Sequence, residues 1–266
     1  MLRYESISKS TGNKKFVSAV VAADNGDSQA LYVAPSTPFQ QGIAVGTATL
    51  QNRSGSTCQV GLAVRLPTSL WEAGQITSAG VYTADTTDAQ DVGAGDFPLH
   101  DRADSGSGFL VGCGVPFNTL GIVQSVSGDQ SGATLIAEYF NGTSWVDITS
   151  SLLIADAIIG DASAEKVLCW PLPPDMAVSG DVAGQPATKY NARIRHTTTG
   201  AGASNPAASQ IFVGFSKMQI EGLTNNGIAS LTRDHEFCFP PQGDALFGVF
   251  STASPANMAE VDVRLY

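Results

Sequence analysis

Charged side chains are scarce in this 266-residue chain: Asp, Glu, Lys and Arg make up 14% of it, against about a quarter of an average soluble protein. Acidic residues outnumber basic ones 24 to 14, which gives a formal net charge of −10. Binding to duplex nucleic acid depends on clustered Lys and Arg that neutralise phosphates. A nucleic-acid-binding role is therefore not expected, and uncharged polar residues, Gly and Ala must form much of the surface.

The chain also lacks the features of a secreted or membrane-bound protein. No uninterrupted apolar run approaches the ~20 residues of a membrane span, and the first residues contain no apolar core like that of a signal peptide. Cys58, Cys113, Cys169 and Cys238 are far apart and form no CxxC pair. Such usage favours buried reduced thiols over a disulfide framework or a zinc site. We therefore expect folding in a cytoplasm and no association with a membrane.

Signatures of catalysis are missing as well. No GxSxG, GxxxxGKS/T or HExxH motif occurs. His100, His196 and His235 each stand next to a charged residue, which is typical of an exposed or hydrogen-bonded imidazole and not of a general base. A glycosidase would need two carboxylates about 5–10 Å apart, which residues distant in sequence can supply, but no pair stands out. We predict that the protein is not an enzyme.

Six aspartates cluster between residues 85 and 104. They are Asp85, Asp88, Asp91, Asp96, Asp101 and Asp104. Calcium takes about six to eight oxygen ligands, but this spacing matches no EF-hand loop, and Asp is also a common turn and capping residue. The segment is predicted to be a solvated connection and no cofactor is predicted, while calcium binding is left as the alternative.

Alternating apolar and polar residues indicate β-strands along most of the chain. The alternation is clear at 58–66, 190–195 and 261–266. Apolar runs predict further strands at 16–22, 109–113, 121–126, 134–140, 166–170, 211–220 and 245–250. Helical turns are expected at most at 69–76 and 150–158. The fold is predicted as all-β, with two β-sandwich domains of jelly-roll type.

Two changes in composition predict the domain boundaries. A stretch rich in Asp, Gly, Ala and Thr surrounds residue 95, and a second change comes at EGLTNNGIAS, residues 221–230. We therefore assign residues 1–95 together with 222–266 to a first β-sandwich, and residues 96–221 to a second one inserted in the first. Two sandwiches in tandem followed by a C-terminal hairpin are the alternative.

The stretch AEYFNGTSWVDI, residues 137–148, is predicted to be a β-hairpin around an Asn-Gly turn. Trp145 follows the turn at a position where an aromatic side chain commonly packs across the hairpin, here on Tyr139 or Phe140. The alternative is a glycan-binding role for Trp71 and Trp145, by stacking of sugars on exposed rings.

Four segments carry a resemblance to a known kind of module. They are GFLVGCGVPFNTLGIVQSV (108–126), TLIAEYFNGTSWVDI (134–148), VLCWPLPPDM (167–176) and YNARIR (190–195). In this order they resemble a β-sandwich module of tailed-bacteriophage virion structural proteins, of the decoration or fibre type. There a glycine-containing strand precedes an aromatic-Asn-Gly-x-x-Trp hairpin, a Trp-Pro segment and an aromatic-x-x-Arg-Ile/Val-Arg strand. The match covers residues 81–220, and it departs from the pattern at Phe140, where Trp is frequent, and at Asn191, where an aromatic is usual.

The resemblance implies a virion structural role with self-association and attachment to other virion proteins. We predict a capsid decoration or cement protein that binds and stabilises the assembled shell, located in the virion after synthesis in the host cytoplasm. Its partner would be the major capsid protein or another virion protein, and it would act as a homo-oligomer, with a trimer favoured. A head-fibre or tail component that binds a host-surface receptor or glycan is the alternative function.

The first fifteen residues form a basic arm on an otherwise acidic chain. Arg3, Lys9, Lys14 and Lys15 are opposed there only by Glu5. We predict that these four residues dock on an acidic partner, while a plain solvated terminus is the alternative.

Overall fold

A computed structural model describes residues 5–7, 16–22, 32–33, 43–101, 103–126, 134–152, 154–155, 165–179, 185–196, 205–231, 238–239, 245–250 and 258–265. The strands are β1 (Glu5–Ile7), β2 (Phe16–Ala22), β3 (Tyr32–Val33), β4 (Ile43–Gln51), β5 (Cys58–Arg65), β6 (Trp71–Ile76), β7 (Tyr82–Ala84), β8 (Phe97–Pro98), β9 (Gly108–Cys113), β10 (Thr119–Val126), β11 (Leu135–Phe140), β12 (Trp145–Asp147), β13 (Ile154–Ala155), β14 (Glu165–Cys169), β15 (Tyr190–His196), β16 (Ala207–Leu223), β17 (Ile228–Leu231), β18 (Cys238–Phe239), β19 (Ala245–Phe250) and β20 (Met258–Leu265).

Helices are short and few among these residues. One α-helix, α1, spans Thr86–Gln90, and 3₁₀-helices span Thr68–Leu70 and Thr149–Ser151. No helix in the described part of the chain has the length and apolar character needed to cross a membrane. The predicted all-β fold is confirmed, whereas the helical turn expected over 69–76 is wrong for 71–76, which form β6.

The structure divides into two compact units. One comprises Met1–Pro67 and Phe215–Tyr266, and the other is Thr68–Gly214. The sequence placed its first boundary near residue 95. In the structure β6 pairs with both β7 and β9, so residues 71–84 lie in the same unit as β9. The predicted insertion of one sandwich into the other stays a prediction.

The first unit contains antiparallel pairings around the long strand β4. There the strand order is β1-β2-β20-β4-β17, and β18 also pairs with β4. In the same unit β19 pairs with β5 on one side and β3 on the other. Leu50, Cys58 and Ala63 are among its buried side chains.

The second unit contains two groups of antiparallel strands. In one, β10 lies between β14 and β16, with β13 outside β14. The other is a six-stranded sheet in the order β12-β11-β15-β9-β6-β7. All six residues of β9, which pairs with β15 on one side and β6 on the other, are buried.

Aromatic side chains form much of the core of the second unit. Phe97 and Phe109 meet edge to face with ring centroids 6.0 Å apart, and so do Phe117 and Trp170 at the same distance. This edge-to-face geometry is favoured by the aromatic quadrupole. Trp170 is fully buried.

Helix α1 and the residue before it cover the outer edge of β6 beyond the short strand β7. Asp85 N donates to Ala73 O at 2.9 Å, and Thr86 Oγ1 accepts from Ala73 N at 3.1 Å. The Gln90 amide donates to Trp71 O at 2.9 Å. Side-chain and loop contacts thus satisfy backbone groups that a neighbouring strand would otherwise take.

Candidate functional site

The hairpin β11–β12 brings the FNGTSW stretch together as the sequence predicts. Phe140 lies opposite Trp145 in the register, and the two rings meet at 5.5 Å. Asn141 Oδ1 accepts from the backbone N–H groups of Thr143 at 3.0 Å and Ser144 at 2.9 Å. Gly142 has a φ of +95°, a conformation that costs glycine little. The predicted strand reversal is confirmed.

A buried carboxylate links this hairpin to the next strand. Glu138 on β11 lies directly opposite Arg193 on β15. Its Oε2 accepts from Arg193 Nε at 2.7 Å and from Arg195 Nε at 2.6 Å, and its Oε1 accepts from Arg195 Nη2 at 3.1 Å. The side chain of Glu138 is only 8% exposed, against 15% for Arg193 and 28% for Arg195.

Arg193 also contacts the tryptophan of the hairpin. Its guanidinium carbon lies 4.1 Å from the centroid of the Trp145 ring, within the range of a cation–π interaction. We call Glu138, Phe140, Trp145, Arg193 and Arg195 the Glu138 cluster. It joins three neighbouring strands, β12, β11 and β15, on one face of the sheet, because alternate residues of a strand share a face.

The electrostatics of the cluster keep the carboxylate ionised. Burial alone would raise the pKa of Glu138, but the hydrogen bonds and charges of Arg195 and Arg193 outweigh it and hold the pKa below its usual range. The hydrogen bond to Glu138 raises the pKa of Arg195, with Asp147 contributing. A carboxylate held in this state by three donors is suited to positioning side chains and is poorly suited to donating a proton.

Residues 175–179, which follow the Trp-Pro segment, are tied to the same two strands. Tyr139 donates its hydroxyl hydrogen to Asp175 Oδ1 at 2.6 Å, and Ala177 N donates to Phe140 O at 3.2 Å. Asn191 donates through Nδ2 to Ser179 Oγ at 2.9 Å. Asn191 stands at a polar position of the alternation over 190–195, yet it is completely buried, and Ser179, Gln185 and Pro186 contact its amide.

The two tryptophans proposed for glycan binding lie on opposite faces of the sheet. Trp71 on β6 is 3% exposed and lies opposite Cys113, which lies opposite Tyr190. Residues directly opposite each other share a face of the sheet, so Trp71 is on the face of Tyr190. Tyr190 and Arg193 are an odd number of residues apart on β15 and so point to opposite faces. Trp145 is half-buried on the Arg193 face. The structure therefore does not bring the two rings together.

The basic arm proposed for docking lies outside the described residues. This holds for Arg3, Lys9, Lys14 and Lys15, and also for His235. The other two histidines, His100 and His196, are buried with their rings in contact, so of the two expected states, exposed or hydrogen-bonded, the exposed one is wrong.

Several of the clustered aspartates act as turn acceptors. Asp91 Oδ1 accepts from Gly93 N at 2.9 Å, and Asp101 Oδ1 accepts from Ala103 N at 2.9 Å. Across the part of the chain that the structure describes, no group of three or more His, Cys, Asp or Glu side chains is placed to hold a metal ion. Cys58, Cys113 and Cys169 are buried thiols, as predicted, while the side chain of Cys238 lies outside those that the structure describes.

Sequence reasoning did not single out Glu138. A signal for it was available, since it is the one acidic residue in the apolar run LIAEYF, and the predicted partner strand YNARIR carries two arginines. A carboxylate within an apolar strand needs a partner. The register of β11 against β15 decides which partner the carboxylate meets, and this register cannot be read from the sequence.

Comparison with known protein-family models gave no match for this chain, and neither did a search of curated proteins. The resemblance described above therefore rests on the residues of this chain alone.

Proposed function

We propose that the protein is a structural component of a tailed-bacteriophage virion, acting as a capsid decoration or cement protein that binds the assembled shell. The observation that carries the proposal is the Glu138 cluster. Trp145 of the Asn-Gly-x-x-Trp hairpin and the arginines of the Arg-x-Arg strand, which carry the resemblance to virion modules, meet there around one carboxylate. In this arrangement the motif residues bind one another and stabilise the sandwich, and partner binding falls to other surfaces.

A decoration protein would act by mass action. A protein that binds the assembled lattice and not its free subunits stabilises the lattice, because binding lowers the free energy of the assembled state and leaves that of the free subunits unchanged. A homo-oligomer, with a trimer favoured, would engage several major capsid subunits or other virion proteins at once and gain from effective concentration. In this proposal the role is binding without catalysis.

The basic arm is the proposed docking element. Its four cations, Arg3, Lys9, Lys14 and Lys15, contrast with a chain whose net charge is −10. Replacing all four by Gln should lower the occupancy of shells and weaken the salt dependence of binding. Arg53→Gln, which removes an exposed cation elsewhere, is the matched control. Unchanged occupancy of the fourfold variant would remove the arm from the proposal and leave the virion role standing.

The experiment that tests the virion role is the copy number of this chain in purified particles, measured by quantitative mass spectrometry against the major capsid protein. On the order of hundreds of copies would support a shell decoration, because icosahedral lattices repeat their sites that often. About a dozen to a few dozen would favour the alternative, a head-fibre or tail component that binds a receptor or glycan. Absence from washed particles would refute the virion role altogether.

A further inference from the structure

Two histidines form a buried pair in the second unit, separate from the Glu138 cluster. The ring centroids of His100 and His196 are 3.9 Å apart, with the ring planes inclined at 40°. Both residues are only 3% exposed. Among the described residues, no hydrogen-bond partner is recorded for the buried Nδ1 of His196. The pair is thus a buried, titratable contact that the proposed function does not use.

The pair is fastened to the turn that precedes β9. His196 ends β15, and its backbone N donates to Ser107 O at 3.1 Å. Ser107 Oγ in turn donates to Asp101 O at 2.8 Å and accepts from Asp101 N at 2.9 Å. Asp101 follows His100 directly, so the turn between Asp101 and Ser107 has one histidine at each attachment.

The charged groups that the structure describes near the pair along the chain make contacts elsewhere. Asp101 accepts from Ala103 N, and Asp104 Oδ2 accepts from Ser78 N at 2.9 Å. Arg195, the residue before His196, binds Glu138. Arg102 lies outside the described residues.

The strands around the pair contribute uncharged side chains to the same region. β11 places Leu135 opposite His196, and β8 pairs Pro98 and Phe97 with Ala207 and Ala208 of β16. A proton on His196 would therefore lie beside uncharged side chains of the described strands, with the centroid of the His100 ring 3.9 Å from that of His196.

Such a setting opposes protonation. Burial, together with the charge of His100, lowers the pKa of His196 to about 3. An imidazole in water titrates at about pH 6.5. A form of the protein in which His196 is exposed to water therefore binds a proton more readily than the form in which it is buried, and acid favours the exposed form.

We propose that the His100–His196 pair is an acid-sensitive latch: it holds the 101–107 turn against the end of β15 near neutral pH and releases both in mild acid. The turn opens because the proton binds only after His196 has left its buried position. Between pH 6.5 and 4 the equilibrium constant for opening should rise about tenfold per pH unit, for the one proton that His196 takes up.

Hydrogen exchange read by mass spectrometry tests the latch on the full-length chain between pH 7 and 4.5, after correction for intrinsic exchange. Peptides that cover 101–109 and 190–196 should show the tenfold rise per unit, while peptides from 119–124 and 167–170 should not. In His196→Gln, which keeps a polar side chain without the titration, the rise should be lost. Equal opening at pH 7 and pH 5, or an equal rise in all four peptides, would overturn the proposal.

A measurement on the unaltered protein keeps the test valid if the variant fails to fold. The carbon-13 chemical shift of His196 Cε1 reports the charge on its ring. It should stay at the neutral value below pH 5 for as long as the 101–109 amides remain protected. Titration near pH 6.5 with those amides still protected would overturn the latch.

Discussion

Replacing Glu138 by Gln should destabilise the second unit strongly, because it removes the charge that two half-buried arginines share. Gln has nearly the same size, but it brings one amide N–H group toward donors and carries no charge. Arg193 and Arg195, with side chains 15% and 28% exposed, would then lie together without their common counter-charge. The packing of the hairpin on the sheet is otherwise left in place.

The expected cost follows from the burial of each partner. Removing one member of a buried ion pair costs about 3–5 kcal/mol. Arg195 can recover part of this through water, and Arg193 keeps its contact with Trp145, worth about 0.5–1 kcal/mol. We therefore expect a loss of about 2–3 kcal/mol in the free energy of unfolding. For a unit of this size, that corresponds to a fall of about 4–12 °C in Tm.

Urea unfolding at pH 7, followed by tryptophan fluorescence, measures this loss. Asp96→Asn is the matched control, since Asp96 is an exposed carboxylate and its neutralisation should change stability by less than about 0.5 kcal/mol. The folded-state pKa of Glu138 is lowered, so its contribution is present above about pH 4.3 and is lost as the pH falls through the folded value. The gap between wild type and Glu138→Gln should therefore close in acid. A loss at pH 7 no larger than that of Asp96→Asn would refute the reasoning.

Two further substitutions test the packing of the same unit. Gly121→Ala should lower the free energy of unfolding by more than about 2 kcal/mol, because the added Cβ would overlap the ring of Phe212. Gly114→Ala is the control, since its Cβ would be 3.5 Å from its nearest neighbour. Equal unfolding midpoints for the two variants would contradict the overlap. Tyr139→Phe should cost about 1 kcal/mol by removing the 2.6 Å hydrogen bond to Asp175. That bond raises the pKa of Tyr139 to about 12. Its contribution to the free energy of unfolding should therefore be complete below about pH 10 and disappear toward pH 12. A difference between wild type and Tyr139→Phe that does not depend on pH would contradict this.

Strands whose alternation is strong could be predicted from the sequence, because a half-buried strand repeats every two residues whatever its partner. Strand β15 and the β11–β12 hairpin are examples, including the position of Trp145 across from Phe140. For strand β6 the sequence predicts a helical turn, since Trp71-Glu72-Ala73-Gly74 shows no clean alternation. Its glycine lies under the ring of Tyr82, a contact between strands that residue spacing does not reveal.

The candidate site was predictable only in its parts. Trp145, Arg193 and Arg195 belong to motifs that the sequence shows, but their convergence on Glu138 depends on the register of β11 against β15. The His100–His196 contact joins residues almost a hundred positions apart, and each histidine stands beside a charged residue that suggests exposure. Asn191 is polar yet fully buried, and its Nδ2 donates to acceptors on Ser179, Gln185 and Pro186. Burial that comes from tertiary covering leaves no periodic signal in the strand itself.

Helix α1 and the short strand β7 have a consequence for behaviour at high concentration. A free strand edge is a template on which further chains can polymerise. Here the outer backbone of β6 is occupied by Asp85, Thr86 and Gln90 beyond the end of β7, and the opposite edge of the sheet is only the three residues of β12. Among the described residues, neither edge of this sheet offers a long ladder to extend, so crowded copies should meet at these edges through side chains.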